Sequence, residues 1–109
     1  MNFSVISTEP FNRELKRLAK KYKSLKADIT PVIKNLETNP SLGTPIGNHC
    51  YKIRVRIKSK AKGKSGGARI ITFVQVIKNE VYLLKIYDKS EHSTISEKEL
   101  KFYVELVKK

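Results

Sequence analysis

The sequence is poor in residues that build covalent or metal crosslinks. It contains one cysteine, Cys50, and two histidines, His49 and His92. A lone cysteine forms no disulfide within the chain, and these three residues are too few for the four-ligand site of a structural zinc ion. We therefore expect no metal and no cofactor. The shortage of cysteine also suits a reducing compartment.

Long apolar runs are absent as well. No segment approaches the roughly 18 consecutive apolar residues of a membrane-spanning helix. No cationic stretch followed by an apolar one opens the chain, as it would in a secretory signal. We therefore expect a cytoplasmic protein without membrane association. The length of 109 residues predicts a single domain over 1–109 with a modest core.

Acidic residues are scarce relative to basic ones. Ten Asp and Glu are set against 23 Lys and Arg, which gives a formal net charge of +13 at pH 7 and a pI near 10.0. Because like charges repel one another, such an excess serves solubility or association with a polyanion. Nucleic acid is the leading candidate for that partner. An acidic membrane surface is the rival, which the lack of apolar runs disfavours.

The N-terminal residues predict a strand followed by a helix. Phe3–Ser7 is rich in strand-forming residues. Thr8 before Glu9-Pro10 has the form of a helix cap and first turn, where proline is tolerated because its missing N–H has no partner there. Apolar residues at helical spacing then predict an amphipathic helix with a basic outer surface.

A second helix is expected after Ser24, which is placed to cap it. Pro31 lies inside this helix and removes one backbone donor. The helix either kinks at Pro31 or begins afresh with Thr30 as its cap. Residues 41–48, SLGTPIGN, are dense in Gly, Pro and Asn, which predicts a loop.

The stretch from Tyr51 onward alternates between apolar and basic residues. Alternation with a period of two is typical of a strand with one buried and one solvated face. The basic positions continue into a loop that crosses Ser65-Gly66-Gly67 and ends at Arg69. We therefore predict a sheet with a basic face, followed by a basic loop. The apolar positions are Tyr51, Ile53, Val55 and Ile57, and the basic ones are Lys52, Arg54, Arg56, Lys58, Lys60, Lys62 and Lys64.

Two further strands and a closing helix follow. Ile70–Ile77 is nearly continuous in β-branched and aromatic residues, as expected of a central strand buried on both faces. A turn at Lys78-Asn79 leads to a strand at Val81–Tyr87. Ser96 and Glu99 form a capping box before the last helix. In the third strand, alternation places Lys85 and Tyr87 on one face and Tyr82, Leu84 and Ile86 on the other.

These elements together predict the fold class. The order is β-α-α-β-β-β-α in a small single α+β domain. The sheet is expected to be twisted and mainly antiparallel, with the two N-terminal helices packed on it.

The element order and several motifs resemble the RelE/ParE toxin superfamily of toxin-antitoxin modules. The motifs are YKIRV at 51–55, GKSGGAR at 63–69 and LLKIYDKSE at 83–91, with NPSLG at 39–43 after the second helix. The likeness covers essentially the whole chain. The loop rich in glycine and lysine, with the IYDKSE ending, is most similar to the RelE and HigB-type mRNA interferases.

This resemblance implies a function and its partners. The chain is expected to be the toxin of a type II toxin-antitoxin system, a metal-independent, ribosome-dependent mRNA endoribonuclease that inhibits translation. Its partners would be a cognate antitoxin, mRNA and the ribosome. The ParE-like branch shares the fold and poisons DNA gyrase, so gyrase inhibition is one alternative. A non-catalytic nucleic-acid-binding protein is another, which the charge alone supports equally well.

The motifs also imply roles for individual basic residues. Lys52 and Arg54 match the paired basic positions of the family's first meander strand. Arg69 matches the arginine that heads the next strand and grips the scissile phosphate. Its guanidinium suits that role because it offers a planar fork of donors and keeps its charge. A basic strand face can also be explained without any function in catalysis, as a solvated outer surface that keeps the protein soluble.

The segment after the last strand is less regular in its match. Lys89 and Glu91 correspond to a lysine and a glutamate of the family, whereas Ser90 stands where RelE-like members carry an arginine. The general acid is left open between Tyr87, Lys89 and His92, and Tyr87 is equally well explained as a core tyrosine. The candidate catalytic residues are Lys52, Arg54, Arg69, Tyr87 and Lys89, and the candidate RNA-binding residues are Arg56, Lys58, Lys60, Lys62 and Lys64.

The expected chemistry needs three kinds of group. One takes the proton of the ribose 2′-hydroxyl, one protonates the leaving 5′-oxygen, and fixed positive charge meets the charge that develops on the phosphate. A lysine acts as a base only in its neutral form. Crowding among the basic residues of one strand face favours that form, since like charges lower the pKa of a lysine.

Overall fold

Five strands and three helices make up the part of the chain that the structure describes. The computed structural model covers residues 2–60, 67–92 and 94–108. These elements confirm the α+β class. In chain order they are β1 (Ser4–Ser7), α1 (Glu9–Lys21), α2 (Leu25–Leu36), β2 (Thr44–Gly47), β3 (Cys50–Val55), β4 (Ala68–Gln75), β5 (Glu80–Asp88) and α3 (Glu97–Lys108).

The strands form one mixed sheet in the order β1-β5-β4-β3-β2. β1 runs parallel to β5, and the other neighbours are antiparallel. A parallel pair needs a long crossover connection, which the intervening helices and strands supply. The prediction of a mainly antiparallel sheet is thus confirmed.

The sheet is covered on both faces. Helices α1 and α2 pack on one face, and α3 packs on the other. β4 lies between them with every residue from Ala68 to Val74 buried, which confirms a central strand. The core beneath α1 and α2 includes Phe11, Leu18, Leu25, Ile29, Ile53, Ile70 and Ile86, and the core beneath α3 includes Cys50, Ile71, Phe73, Leu84, Tyr87, Leu100 and Val104.

The start of α1 follows the sequence pattern. The Thr8 side chain accepts a hydrogen bond from the Phe11 amide at 3.4 Å, with Pro10 in the first turn. Its hydroxyl also donates to the Leu83 carbonyl of β5 at 2.8 Å. One side chain therefore caps the helix and ties it to the sheet.

Helix α2 runs without interruption through Pro31. The alternative in which a new helix begins with Thr30 as cap is therefore wrong. The Thr30 hydroxyl instead donates to the Lys26 carbonyl one turn earlier, at 2.8 Å. Ser24 precedes the helix but makes no side-chain cap bond within the described residues. Its hydroxyl donates to the Asp28 carboxylate at 2.6 Å.

The predicted loop at 41–48 contains an additional short strand. β2 pairs antiparallel with β3 through a tight turn in which Asn48 and His49 take positive φ angles of 56° and 61°. The turn residues made this segment resemble a loop, and pairing with β3 turned its middle into an edge strand. Cys50 is buried at the start of β3, and burial raises the pKa of its thiol to about 12.

β4 both begins and ends two residues earlier than the predicted Ile70–Ile77, and spans Ala68–Gln75. Val76 and Ile77 lie in the turn before β5 and are 65% and 91% exposed. Asn79 closes the turn with a φ of 55°. The apolar run was too long by two residues because β-branched residues outside the sheet carry the same local signal as those inside it.

β5 contains a β-bulge, and the predicted assignment of its side chains to the two faces of the sheet is wrong for part of the strand. Ile71 pairs with Lys85 and Thr72 pairs with Leu83, so Leu84 is the extra residue. Lys85 and Tyr87 share a face opposite Ile86, as expected. Tyr82 and Leu84, however, pack with Tyr87 beneath α3. The bulge moves them to the face opposite the one that strict alternation predicts.

None of the described helices combines the length and the hydropathy that a bilayer span needs.

Candidate functional site

Three candidate residues lie in one row across the sheet. Arg54 of β3 is directly opposite Arg69 of β4, and Arg69 is directly opposite Tyr87 of β5. Directly opposite residues have their Cβ atoms about 4.5–5.5 Å apart. The neighbouring row on the same face holds Lys52 of β3, Ile71 of β4 and Lys85 of β5, with Ile71 directly opposite both lysines. We call these five residues, Lys52, Arg54, Arg69, Lys85 and Tyr87, the cationic face.

The two arginines of the row are like charges placed side by side. Such a pair is destabilising in a sheet, and a buried guanidinium costs more than an exposed one. Arg69 is nevertheless only 6% exposed, and its Nη1 donates to the Ala68 carbonyl at 3.1 Å. Arg54 is exposed beside it. Guanidinium groups bind the oxygens of phosphate groups, and these two arginines lie directly opposite each other on neighbouring strands.

Tyr87 is a core residue with a polar end. It is 1% exposed, and its hydroxyl has no hydrogen-bond partner in the described part of the chain. Burial raises the pKa of the Tyr87 hydroxyl above its ordinary value, against the opposing effect of the Arg69 and Lys85 charges. The hydroxyl is therefore protonated at neutral pH. The His92 ring stands edge-on to the tyrosine, 6.1 Å between centroids.

Lys85 joins the cationic face to helix α3, a role that sequence reasoning missed. Its Nζ donates to the Glu99 carboxylate at 2.7 Å and lies 5.4 Å from the centroid of the Tyr103 ring. Burial alone would lower the pKa of Lys85, but the hydrogen bond to the Glu99 carboxylate and the nearby Tyr103 hydroxyl raise it. One half of the predicted capping box is present, since the Glu99 amide donates to Ser96 Oγ at 3.1 Å, while the Glu99 carboxylate accepts from Lys85.

The predicted strand-like series of basic residues ends at β3. Arg56 and Lys58 are exposed, but they follow the last residue of that strand. The chain there leaves the sheet and attaches to the start of α2. The Lys58 amide donates to Asp28 at 3.0 Å, and the Ser59 amide donates to Ser24 Oγ at 2.8 Å. The prediction that Arg56 and Lys58 extend the strand face is therefore wrong.

Lys60 does not project into solvent as an RNA-binding arm would require. Its side chain is 18% exposed, and Nζ donates to Asp88 Oδ1 at 3.0 Å and to Ser90 Oγ at 3.2 Å. It also lies 5.6 Å from the centroid of the Tyr22 ring. Lys60 is therefore part of an internal ion pair. The predicted RNA-binding residues Lys62 and Lys64 lie outside the described residues.

The partner of Lys60, Asp88, is the polar centre of this end of the molecule. It is fully buried and also accepts hydrogen bonds from the Tyr22 hydroxyl at 2.6 Å and from the Ser90 amide and hydroxyl at 2.9 and 2.8 Å. Burial alone would raise the pKa of Asp88, but the bonds from Tyr22, Ser90 and Lys60 hold it well below its usual range. Asp88 thus fixes the end of β5 immediately after Tyr87.

The residues after β5 contact two different parts of the chain. The Lys89 amide donates to the Gly67 carbonyl at 2.9 Å, which places Lys89 beside the start of β4. Glu91 forms ion pairs with Arg17 at 2.7 Å and Lys21 at 3.4 Å. Glu91 therefore attaches the loop to α1 and lies away from the cationic face. Ser90, where RelE-like members have an arginine, is bonded to Asp88.

The described residues contain no group of three or more His, Cys, Asp or Glu side chains positioned to hold a metal ion. The geometry of the cationic face offers fixed positive charge, a neutral phenol and a partly exposed lysine at Lys52. These are groups that bind a phosphate and move protons near it.

Comparison with known proteins identifies the family. Residues 11–109 match the family model described as the RelE toxin of the RelE/RelB toxin-antitoxin system. The chain belongs to the RelE toxin family. This RelE-family protein is therefore the toxin of a toxin-antitoxin system, with an antitoxin as its partner.

A solved structure supports the fold of this RelE-family toxin. This chain superimposes on the structure of an E. coli RelE double mutant in the free state with a TM-score of 0.65 and 15% sequence identity. The match covers 98% of this chain and 99% of the E. coli chain. At this identity the match confirms the fold, and the roles of individual side chains depend on the geometry described above.

Proposed function

We propose that this toxin is a metal-independent, ribosome-dependent mRNA endoribonuclease that inhibits translation in the cytoplasm. The observation that carries the proposal is the row of Arg54, Arg69 and Tyr87 on three adjacent strands. Lys52 lies two residues before Arg54 on the same face of β3. A phosphate bound by the arginines would have a protonated phenol on one side and a lysine on the other.

The proposed reaction is an internal transfer of the phosphate. The ribose 2′-oxygen attacks the adjacent phosphorus, the bond to the 5′-oxygen of the next nucleotide breaks, and a 2′,3′-cyclic phosphate remains. Lys52 is the proposed acceptor of the 2′-hydroxyl proton. Tyr87 gives its proton to the leaving 5′-oxygen, and Arg54 and Arg69 meet the charge that develops on the phosphate.

Two features support the assignment of Tyr87 as the acid. Its pKa is raised by burial, so the hydroxyl holds its proton at neutral pH. Its oxygen also has no hydrogen-bond partner within the described residues, which leaves it able to donate to bound RNA. Because the ring is 1% exposed in the free protein, substrate binding must bring the RNA against the hydroxyl or shift the cover above it.

The antitoxin is proposed to cover this same face. An acidic or amphipathic segment would be complementary to a surface that carries Arg54 and Lys52. Such a partner competes with RNA for the arginines, so binding of the antitoxin and cleavage of RNA should exclude one another.

The test is primer extension on mRNA, free and bound to 70S ribosomes, with wild-type protein and Arg69→Ala. Loss of one guanidinium from a phosphate site is expected to lower the cleavage rate about 100-fold or more, in the range measured for single electrostatic stabilisers. Arg13→Ala is the matched control, since Arg13 is an exposed arginine of α1 on the opposite side of the sheet. It should cut like wild type.

Two further measurements test the mechanism, namely the chemical end of the product and the metal requirement. Products from ribosome-bound mRNA should end in a 2′,3′-cyclic phosphate, which mass spectrometry identifies. Metal independence is tested by measuring cleavage of free RNA at high protein concentration in the presence of EDTA, because ribosomes themselves need magnesium. No cuts by a folded, antitoxin-free protein would refute the nuclease proposal and favour gyrase inhibition or simple binding. Cuts that persist in folded Arg69→Ala would remove Arg69 from the site.

A further inference from the structure

A small cavity lies beside the cationic face, between the edge of the sheet and the segment that leads into α3. Its volume is about 250 Å³. Lys52 belongs both to the cavity wall and to the cationic face, so the two are continuous. The lining residues are Ile46, Lys52, Thr94, Ile95, Ser96, Glu97 and Leu100.

The lining combines a fixed apolar wall with a polar rim. Leu100 is 3% exposed, and Ile46 and Ile95 pack against the same core. The hydroxyls of Thr94 and Ser96, the Glu97 carboxylate and the Lys52 side-chain nitrogen supply donors and acceptors around that wall. Sites that bind flat organic rings combine an apolar surface with a few polar groups in this way.

We propose that this cavity binds one nucleobase of the RNA whose phosphate lies on the cationic face. The inference rests on the proposed function and names a second contact for the same substrate. Lys52 and Arg54 are two residues apart, or about 7 Å along β3. A ribose and its base can span that distance from a phosphate held at Arg54. Proteins that read single-stranded RNA turn bases out into such pockets and bond their edges.

Glu97 gives the cavity a preference among the bases. Its carboxylate accepts hydrogen bonds, and an exocyclic amino group donates them. Adenine, cytosine and guanine carry such a group, whereas uracil offers only a ring N3–H that is flanked by two carbonyl oxygens, which a carboxylate repels. Uracil should therefore bind at least about fivefold more weakly at this position, the low end of the discrimination that a good side-chain contact to a base edge provides.

The test is an NMR titration of the amide signals with trinucleotides whose 2′-oxygens are methylated, so that they bind without being cut. The four bases are placed in turn at each position in a constant context. Shifts are expected at Ile46 and at residues 94–97, with uracil weaker at one position. Glu97→Gln should reduce the preference, and Ile46→Trp, which fills the cavity, should abolish it while binding to Arg54 and Arg69 persists.

Glu105→Gln is the matched control, because Glu105 is an exposed glutamate of α3, eight residues or about 12 Å from Glu97. It should keep the preference of wild type. Equal affinity for all four bases, shifts confined to Arg54 and Arg69, or discrimination that survives in a folded Ile46→Trp protein would overturn the inference. The titration does not require cleavage, so base-selective binding without any cutting would refute the nuclease proposal alone.

Discussion

The buried carboxylate of Asp88 offers the sharpest test of how this fold is held together. Asp88→Asn preserves the shape of the side chain and removes its charge. Four hydrogen bonds now end on its two oxygens, from Tyr22, Lys60 and the amide and hydroxyl of Ser90. Three of these bonds end on Oδ1, which asparagine keeps as its amide oxygen, whereas the amide nitrogen in the place of Oδ2 cannot accept the bond from Tyr22. The Lys60 ammonium loses the carboxylate charge that lies 3.0 Å away.

The magnitude follows from burial. Removing one partner of a buried ion pair typically costs about 3–5 kcal/mol. Lys60 keeps 18% of its side-chain surface in contact with solvent and can recover part of its hydration. The Tyr22 hydroxyl can also rotate to accept from the new amide. We therefore expect a loss of about 3 kcal/mol in the free energy of unfolding at pH 7, the low end of that range.

The pH dependence has a defined sign. Because the folded state lowers the pKa of Asp88, its stabilisation is fully present above the unfolded value of about 3.9. It is lost as the pH falls through the lower folded value. The difference between wild type and Asp88→Asn should hold between pH 5 and 7. Below about pH 4 it should shrink by up to about 1.4 kcal/mol per pH unit.

Urea denaturation at pH 7, 5 and 3.5 measures these differences. Glu91→Gln is the control, because its side chain is 29% exposed in its ion pairs with Arg17 and Lys21. It should cost less than about 1 kcal/mol. A loss below about 1 kcal/mol in Asp88→Asn, or a difference from wild type that stays constant down to pH 3.5, would refute this account of the cluster.

Two further predictions concern the borders of the cationic face. Gly67 has a φ of 87°, and a Cβ there would lie 2.5 Å from the Val55 carbonyl oxygen. Gly67→Ala should therefore lower the free energy of unfolding by about 2 kcal/mol or more, measured by denaturation. Gly47→Ala is the control and should lower it by about 1 kcal/mol, because Gly47 has a φ of 94° but open space around its Cβ position. Equal losses would contradict the steric argument. A double-mutant cycle with Lys85→Met and Glu99→Gln should give a coupling of about 1 kcal/mol, since Glu99 is 40% exposed; additive effects would show that the pair does not couple β5 to α3.

The sequence predicted side chains that the strand register places in one row. The motifs pointed to Arg54 and Arg69, and they left Tyr87 open between a general acid and a core tyrosine; the catalytic roles of all three stay predictions. Lys85 and Asp88 were missed because their environment depends on residues far away. Glu99 lies 14 residues after Lys85, and Tyr22 lies 66 residues before Asp88. No local pattern contains either pair.

Charges were the least predictable feature. Lys60 and Glu91 have the same polar neighbourhood in sequence as exposed loop residues, yet Lys60 pairs with a buried carboxylate and Glu91 with two cations of α1. Solvation and ion pairing leave no signature in sequence spacing, because a long flexible side chain can reach either water or a partner. The lysine-rich composition therefore did not reveal that Lys60 is paired with Asp88.

The sequence by itself determined the class of the fold and the order of every element except β2. Period-two and helical spacing, the Thr8 cap and the Ser96 cap are local properties, and local energies decide them. Only the tertiary structure decided which side chains share a face and which charges are paired. The bulge at Leu84 reversed the faces of Tyr82 and Leu84, and β2 formed only because β3 was beside it. Both outcomes depend on hydrogen bonds between strands, which no single strand specifies.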